Sequence, residues 1–215
     1  MPCAALTGRY GMLIKICGLT DVREAEYLNR NQVDFAGFIL FYEKSRRNMT
    51  LEGSRPIMEA LSPRIKKVAV TVSPTLEQVR RIEESGFDYI QIHGELAREV
   101  LSEGSIPILR AFNIHDMDQY AYYQSSPRIA GYVFDAYEPG SGKAFDWTLL
   151  RGLPRDDRLF LLAGGLNAEN VQRAIQAVQL DGVDVSSGVE YEDGKGKDPE
   201  RIDTFVRAVR ESPCR

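Results

Sequence analysis

The residues able to do chemistry in this chain stand where short apolar runs stop. Cys17 closes Leu13-Ile14-Lys15-Ile16-Cys17, and Asp135 follows Gly131-Tyr132-Val133-Phe134. Ser45-Arg46-Arg47 lies beyond the run from Phe35 to Leu40, His93 follows Tyr89-Ile90-Gln91-Ile92, and Arg110 sits near the end of Pro107 to Ala111. Two glycine-bearing turns, Ala163-Gly164-Gly165-Leu166-Asn167 and Asp184-Val185-Ser186-Ser187-Gly188-Val189, mark the ends of the last two runs. The set holds a thiol and a carboxylate, side chains that exchange protons, beside cations and turns suited to anions. The turns are the most explicit part. Glycine lets backbone N–H groups approach an anion closely, and a helix N-terminus adds a favourable dipole, so Gly164, Gly165, Ser186, Ser187 and Gly188 read as a phosphate site.

Other chemistries are poorly served. Gly140-Ser141-Gly142-Lys143-Ala144 resembles part of a nucleotide-binding loop, but Tyr137 occupies the first glycine position and Ala144 replaces Ser/Thr, so no cofactor is implied. His93 and His115 form no ligand-spaced pair, and no metal site is expected. Cys3, Cys17 and Cys214 are odd in number and far apart, which yields neither a disulfide framework nor a C-x-x-C motif. Asn48-Met49-Thr50 matches a glycosylation sequon with no sign of secretion to give it meaning.

The elements that must position these residues follow from the runs themselves. Eight runs, at 13–17, 35–40, 68–72, 89–92, 107–111, 131–134, 159–162 and 182–185, recur at an even spacing, each followed by a turn and a segment of helical periodicity. The helices expected are 22–30 after Thr20-Asp21, 51–61 capped by Thr50, 76–85 after Ser73-Pro74-Thr75, 168–178 capped by Asn167, and a last one from Asp198-Pro199 to Arg210. Shorter helices are expected near 95–102, 116–124 and 146–150. Eight alternating βα units predict an α/β fold with a parallel sheet, and the count favours a closed (βα)8 TIM barrel over a doubly wound open sheet. Barrels of this kind carry their active site at the C-terminal ends of the strands, where the residues above fall, and commonly hold phosphate after the seventh and eighth strands. No composition break divides the chain, which reads as one domain over 12–215 after a loose N-terminal extension, 1–11. Strand alternation adds one expectation. If Cys17 points inward so does Lys15, and Asp184 on the adjoining last strand is its natural partner, giving an ion pair inside the barrel that orients its members.

The 215 residues include 27 Lys+Arg against 31 Asp+Glu, a formal net charge of -4, with 43% hydrophobic and 27% charged residues. These proportions belong to a folded globular domain, and the absence of a basic excess argues against a nucleic-acid partner. No apolar run approaches the roughly 18 residues of a membrane span, and Arg9 and Lys15 bracket only a few apolar residues. No membrane partner is therefore expected, and the expected location is the cytoplasm. The expected assembly is a monomer or a homodimer.

Taken together, Lys15-Ile16-Cys17-Gly18-Leu19-Thr20, Ser45-Arg46-Arg47, Gln91-Ile92-His93-Gly94-Glu95, Phe145-Asp146-Trp147, Ala163-Gly164-Gly165-Leu166-Asn167 and the stretch from Asp184 to Glu190 resemble the phosphoribosylanthranilate isomerase family. The resemblance runs from residue 12 to the region of Arg210. It implies a (βα)8 barrel of tryptophan biosynthesis that converts a small phosphoribosyl substrate, N-(5-phosphoribosyl)anthranilate, to 1-(2-carboxyphenylamino)-1-deoxyribulose 5-phosphate by an Amadori rearrangement without cofactor. It implies Asp135 as the general acid that protonates the furanose ring oxygen, and Cys17 as the general base that takes the C2 proton. Arg47 is implied to hold the anthranilate carboxylate, His93 and Arg110 to assist in binding substrate, and the glycine and serine turns to hold the phosphate. In a closed barrel those turns lie between the acid and the base. A free thiol titrates near 8.5 and a free carboxyl near 3.9, the wrong order for a base and an acid at neutral pH. The site must shift both, Cys17 downward by a cation or the phosphate-binding dipoles and Asp135 upward by apolar burial or substrate charge.

Some positions depart from the family pattern. The segment 136–142 is short, Pro139 stands where a glycine is usual, and Thr71 occupies a third-strand position that is often aromatic. Two alternatives remain beside the isomerase: the related ribotide isomerase of histidine biosynthesis, or a dual-substrate version, and a phosphosugar-binding barrel without catalysis. The first resembles a family with an aspartate in place of Cys17.

Overall fold

Residues 11–135 and 146–212 are described by the structure, a computed structural model. Positions 1–10 of the extension, Cys214, the 136–142 segment with Pro139, and Gly140 to Ala144 lie outside the described residues. Within them run nine strands: β1 (Leu13–Cys17), β2 (Phe35–Leu40), β3 (Asn48–Met49), β4 (Lys66–Val72), β5 (Tyr89–His93), β6 (Ile108–Asn113), β7 (Ile129–Asp135), β8 (Leu159–Leu162) and β9 (Gly182–Val185). All pair in parallel in the order β1-β9-β8-β7-β6-β5-β4-β2-β3, and β1 also pairs with β2. That last pairing, with Lys15 opposite Phe35 and Cys17 opposite Gly37, closes a ring of eight and excludes the open sheet. β3 is a two-residue addition beside the end of β2, Asn48 opposite Ile39, too short to leave a periodic signal in the sequence.

Alternation along the strands divides the apolar residues into two clusters. Cys17, Phe35, Val68, Val70, Leu109, Ala111, Val133, Leu159, Leu161 and Ala163 fill the barrel. Ile14, Ile16, Ala36, Phe38, Ala69, Ile90, Ile92, Phe112, Phe134, Phe160 and Leu162 belong to the second cluster, under the helices. The period of two in a strand sends alternate side chains to opposite faces, so each run is apolar on both sides because both sides are covered. At the C-terminal end the inward positions change character, to Lys15 and Cys17 on β1, Gln91 and His93 on β5, Asn113 on β6, Asp135 on β7 and Asp184 on β9.

The outer layer is built by α1 (Arg23–Asn31), α2 (Leu51–Ala60), α3 (Leu76–Glu84), α4 (Arg98–Glu103), α5 (Tyr120–Gln124), α6 (Val171–Ala177) and α7 (Pro199–Arg210). Thr50 caps α2 through the N–H of Gly53, Thr75 and Gln78 form a reciprocal capping box on α3, and Asp198 caps α7. One cap agrees with expectation and one differs. Asp21 Oδ1 accepts from the N–H of Arg23 at the start of α1 at 2.9 Å, and Glu24 reaches back so that its Oε2 accepts from the N–H of Thr20 at 2.7 Å and of Asp21 at 3.2 Å. Asn167 does not open α6 directly. Its Oδ1 accepts from Glu169 and Asn170, which makes a side-chain turn and delays the helix to Val171. The 116–124 segment divides into a 3₁₀ turn, Ile114–Gln119, and α5, and the 146–150 segment is a 3₁₀ turn opened by Asp146.

Candidate active site

On β1 and its neighbours, Lys15 Nζ lies 2.8 Å from Asp184 Oδ2, both side chains buried, which is the ion pair that strand alternation requires. Burial alone would pull the Lys15 ammonium down, but Asp184 and Cys17 outweigh it and the lysine titrates above its ordinary value. A side chain on Gly37 of β2 would meet Cys17 Sγ at 2.9 Å and Lys15 Nζ at 3.1 Å, so the missing side chain there is the space in which thiol and ammonium meet. A glycine inside a strand marks close approach, the one signal that could have pointed to Gly37 beforehand. The thiol itself departs from expectation. Burial pushes Cys17 up, and Lys15 and Lys197 recover only part of the cost, so the thiol is favoured over the thiolate at neutral pH.

Across the ring, Asp135 ends β7 inward of Phe134, 9% exposed, in register with Asn113 of β6. Gln91 Nε2 lies 2.8 Å from His93 Nε2. Burial, with the positive charges of Lys15 and Arg110, brings His93 down to about 3, so it is neutral at working pH. The Gln91 amide N–H then donates to Nε2 and leaves the ring proton on Nδ1; His93 offers a hydrogen bond, not a charge.

Arg110 is not brought to the mouth. It alternates with Leu109 and Ala111 of the barrel interior and so faces the helices, buried, with its guanidinium over the rings of Phe112 and Tyr123 and Nη1 donating to the carbonyl of Ile92 at 2.9 Å. Position within a run had placed it at a strand end; the parity of the strand decides against substrate contact. Arg110→Ala is expected to lower the unfolding free energy by about 2–4 kcal/mol through the cavity and the lost hydrogen bond, with KM unchanged, as chemical denaturation and steady-state kinetics would report. Thr71 likewise shares its face with Ala69, and its hydroxyl donates to the carbonyl of Gln91 at 3.3 Å, so that departure from the family pattern lies under the helices.

The two turns after β8 and β9 sit between these groups. Gly164 and Gly165 have φ of +84° and +64°, backbone that side-chain-bearing residues rarely adopt. Among the described residues, the N–H groups of Gly164, Gly165, Ser187 and Gly188 donate to no group of the chain, which leaves four donors at one edge of the mouth. A Cβ on Gly188 would stand 2.0 Å from the carbonyl oxygen of Leu166, so the turns can pack together only with glycine there. Ser186 is different in kind. Its hydroxyl donates to the carbonyl of Cys17 at 2.8 Å, clamping the end of β9 to the end of β1. Gly188→Ala is expected to raise KM for a phosphorylated substrate by about 10- to 100-fold, because the donors must move apart, while binding of the same compound without phosphate is already weak and changes little.

Beyond β2, Arg46 and Arg47 separate clearly. Arg46 is 57% exposed, whereas Arg47 is 12% exposed and lies along Gly18, where a Cβ would fall 2.5 Å from its Cδ. Both reach Glu190, a buried carboxylate that also receives Lys197 Nζ at 3.0 Å. Lys197 is fully buried and further donates to the carbonyl and hydroxyl of Ser186 at 3.2 and 3.3 Å. Glu190 and Lys197 had no role assigned from sequence. Glu190 follows the second turn directly, but nothing in a single sequence says that Lys197, seven residues on, folds back onto it through the antiparallel bridge Glu190–Lys197.

A family model described as N-(5'phosphoribosyl)anthranilate (PRA) isomerase matches residues 14–208. The N-(5'-phosphoribosyl)anthranilate isomerase of Acetivibrio thermocellus is 37% identical over 214 aligned positions, covering 93% of this chain and 96% of that one. Among solved structures, the phosphoribosyl anthranilate isomerase of Thermotoga maritima is similar with a TM-score of 0.81 and 35% identity, over 92% of this chain and 98% of its own. A phosphoribosyl anthranilate isomerase in complex with reduced 1-(o-carboxyphenylamino)-1-deoxyribulose 5-phosphate is similar with a TM-score of 0.78 and 33% identity, over the same shares.

Proposed function

The chain belongs to the N-(5'-phosphoribosyl)anthranilate isomerase family, and from this we propose that it isomerises N-(5'-phosphoribosyl)anthranilate to 1-(2-carboxyphenylamino)-1-deoxyribulose 5-phosphate in tryptophan biosynthesis, with Asp135 as acid and Cys17 as base. The observation that carries the assignment of roles is the alternation of β1 and β7, which gives Cys17 and Asp135 inward positions on either side of the turns after β8 and β9. The 5'-phosphate takes the N–H groups of Gly164, Gly165, Ser187 and Gly188, and Arg47 takes the anthranilate carboxylate. With both ends anchored, the ribose lies across the mouth. Asp135 gives its proton to the ring oxygen as the C1–O bond breaks and the anilino nitrogen forms C=N to C1. Cys17, as thiolate, then takes the proton from C2, and its electron pair becomes the C1–C2 double bond of an enolamine. Protonation at C1 and loss of the proton on the 2-hydroxyl give the 2-keto product, so the reaction consumes nothing and needs no cofactor. Lys15 stands beside Cys17 to stabilise the thiolate from which the abstraction starts, and Asp184 holds Lys15 in place.

Continuous loss of anthranilate-type fluorescence from freshly generated phosphoribosylanthranilate tests the reading. Rapid turnover is expected, together with none of the ribotide of histidine biosynthesis; absence of the first would overturn the assignment. Cys17 supports the tryptophan reaction over the histidine one. The proposal includes a cytoplasmic protein, monomer or homodimer, whose partner is this small molecule; no helix among the described residues is long and apolar enough to cross a membrane.

A further inference from the structure

We propose that Glu190 is a positioning residue for carboxylate recognition, locking the Arg47 guanidinium so that one edge is used inside the protein and the other is presented to the substrate. The inference rests on the reading of Arg47 as the carboxylate-binding side chain. Its basis is the division of the guanidinium. Arg47 Nε donates to Glu190 Oε1, and Nη2 donates to Oε2 at 2.8 Å, a two-pronged pair that fixes the plane of the fork. Among the described residues Nη1 donates to nothing, and it lies on the side of the fork away from Glu190.

Glu190 is itself over-determined. A carboxylate 3% exposed is costly unless paired, and here Arg47, Arg46 Nη2 and Lys197 Nζ all donate to it. Burial would push Glu190 up, yet Arg47 and Lys197 hold it at about 2, so it is an anion at every working pH. Arg46, Arg47 and Lys197 face two carboxylates on this wall of the mouth, Glu190 and the Glu24 that accepts from the Lys197 N–H, which leaves an excess of one positive charge. A purely structural ion pair would be balanced; an excess of cations beside a free guanidinium edge suits an incoming anion. Lys197 extends the fixation. Its backbone N–H donates to Glu24 Oε1 at 2.7 Å and its ammonium to Ser186, which is bonded to the carbonyl of Cys17. The arm that holds the carboxylate is thereby referenced to the strand that carries the base.

The test uses two ligands, the reduced product analogue with its aromatic carboxylate and the same compound with a plain phenyl ring, measured by calorimetry against wild type, Arg47→Gln, Glu190→Gln and Glu190→Asp. The quantity read is the ratio of the two dissociation constants, which a general loss of stability or of phosphate binding leaves untouched. The ratio is expected to fall by about 10- to 100-fold in Arg47→Gln and by about tenfold or more in Glu190→Gln, with the affinity for the phenyl compound held within about threefold. Glu190→Asp keeps the charge and the fold but cannot reach Arg47 and Lys197 together, and an intermediate fall is expected. A ratio lost in Arg47→Gln and kept in both Glu190 variants overturns this inference alone. A ratio kept in Arg47→Gln overturns the carboxylate reading and this inference with it, and an equal loss for both ligands in the Glu190 variants reduces Glu190 to a structural ion.

Discussion

Cys17→Ala is expected to lower kcat by about 10²–10⁴ while leaving the affinity for the reduced product analogue within about threefold, the signature of a group that acts on a proton in the transition state and not on the bound ground state. The structure gives the reason for each half. Cys17 is buried at the end of β1, with the bare Cα of Gly37 beside its sulfur. Alanine in its place leaves Lys15, Asp184, the turns and Arg47 where they are, so binding persists without the base. The same surroundings predict the pH profile. Burial raises the thiol above its ordinary value, against the opposing charges of Lys15 and Lys197. The base is the thiolate, whose fraction rises with pH, so kcat/KM should climb about tenfold per pH unit on the alkaline side of neutrality until the thiol's folded-state value is passed. Lys15, itself raised, stays charged through that range and does not cut the climb short. A profile flat from pH 6 to 9, or a kcat within tenfold of wild type in Cys17→Ala, would remove Cys17 as the base; stopped-flow or steady-state fluorescence at several pH values decides it.

How much of this was legible from the chain depends on whether the signal was periodic or relational. The eight barrel strands were legible because apolar runs covered on both faces are unmistakable when they recur with turns and helices between them, and Lys15–Asp184 was legible because alternation turns both inward and ring closure sets them in register on adjoining strands. Arg110 was misplaced by attending to where the run stops and not to its parity: Leu109 and Ala111 face inward, so Arg110 cannot. The start of α6 slipped to Val171 because Asn167 bonds to backbone ahead of the helix, a competition that propensity does not rank. Glu190 and Lys197 were hidden for a further reason. Their partnership with Arg47 and Ser186 spans the loop after β9 and the loop after β2, which no local pattern links. The direction of the Cys17 shift was equally out of reach, since it is the difference between burial and two cations, one of them Lys197.

Asp135→Asn is expected to cost kcat about 10²–10⁴ as well, with KM little changed, because asparagine keeps the shape and the hydrogen-bonding reach of the side chain but has no proton to give to the ring oxygen. Asp135 ends β7 with Val133 beneath it in the barrel and β8 and β9 between it and β1, so acid and base approach the ribose from different sides and serve different steps. That separation carries a sharper expectation than either rate alone. Ring opening precedes proton abstraction, and a rate already limited by one barrier responds weakly when the other rises. The double variant Cys17→Ala/Asp135→Asn should therefore turn over about as slowly as the slower single variant, within about tenfold, and not at the product of the two losses. Substrate deuterated at C2 divides the steps: with Asp135→Asn, ring opening limits and the isotope effect on kcat should shrink toward unity, whereas with Cys17→Ala abstraction limits and the effect should be expressed in full. Multiplicative losses in the double variant, or a full isotope effect in Asp135→Asn, would place both groups in one transition state and make the two-sided division of labour between β1 and β7 untenable.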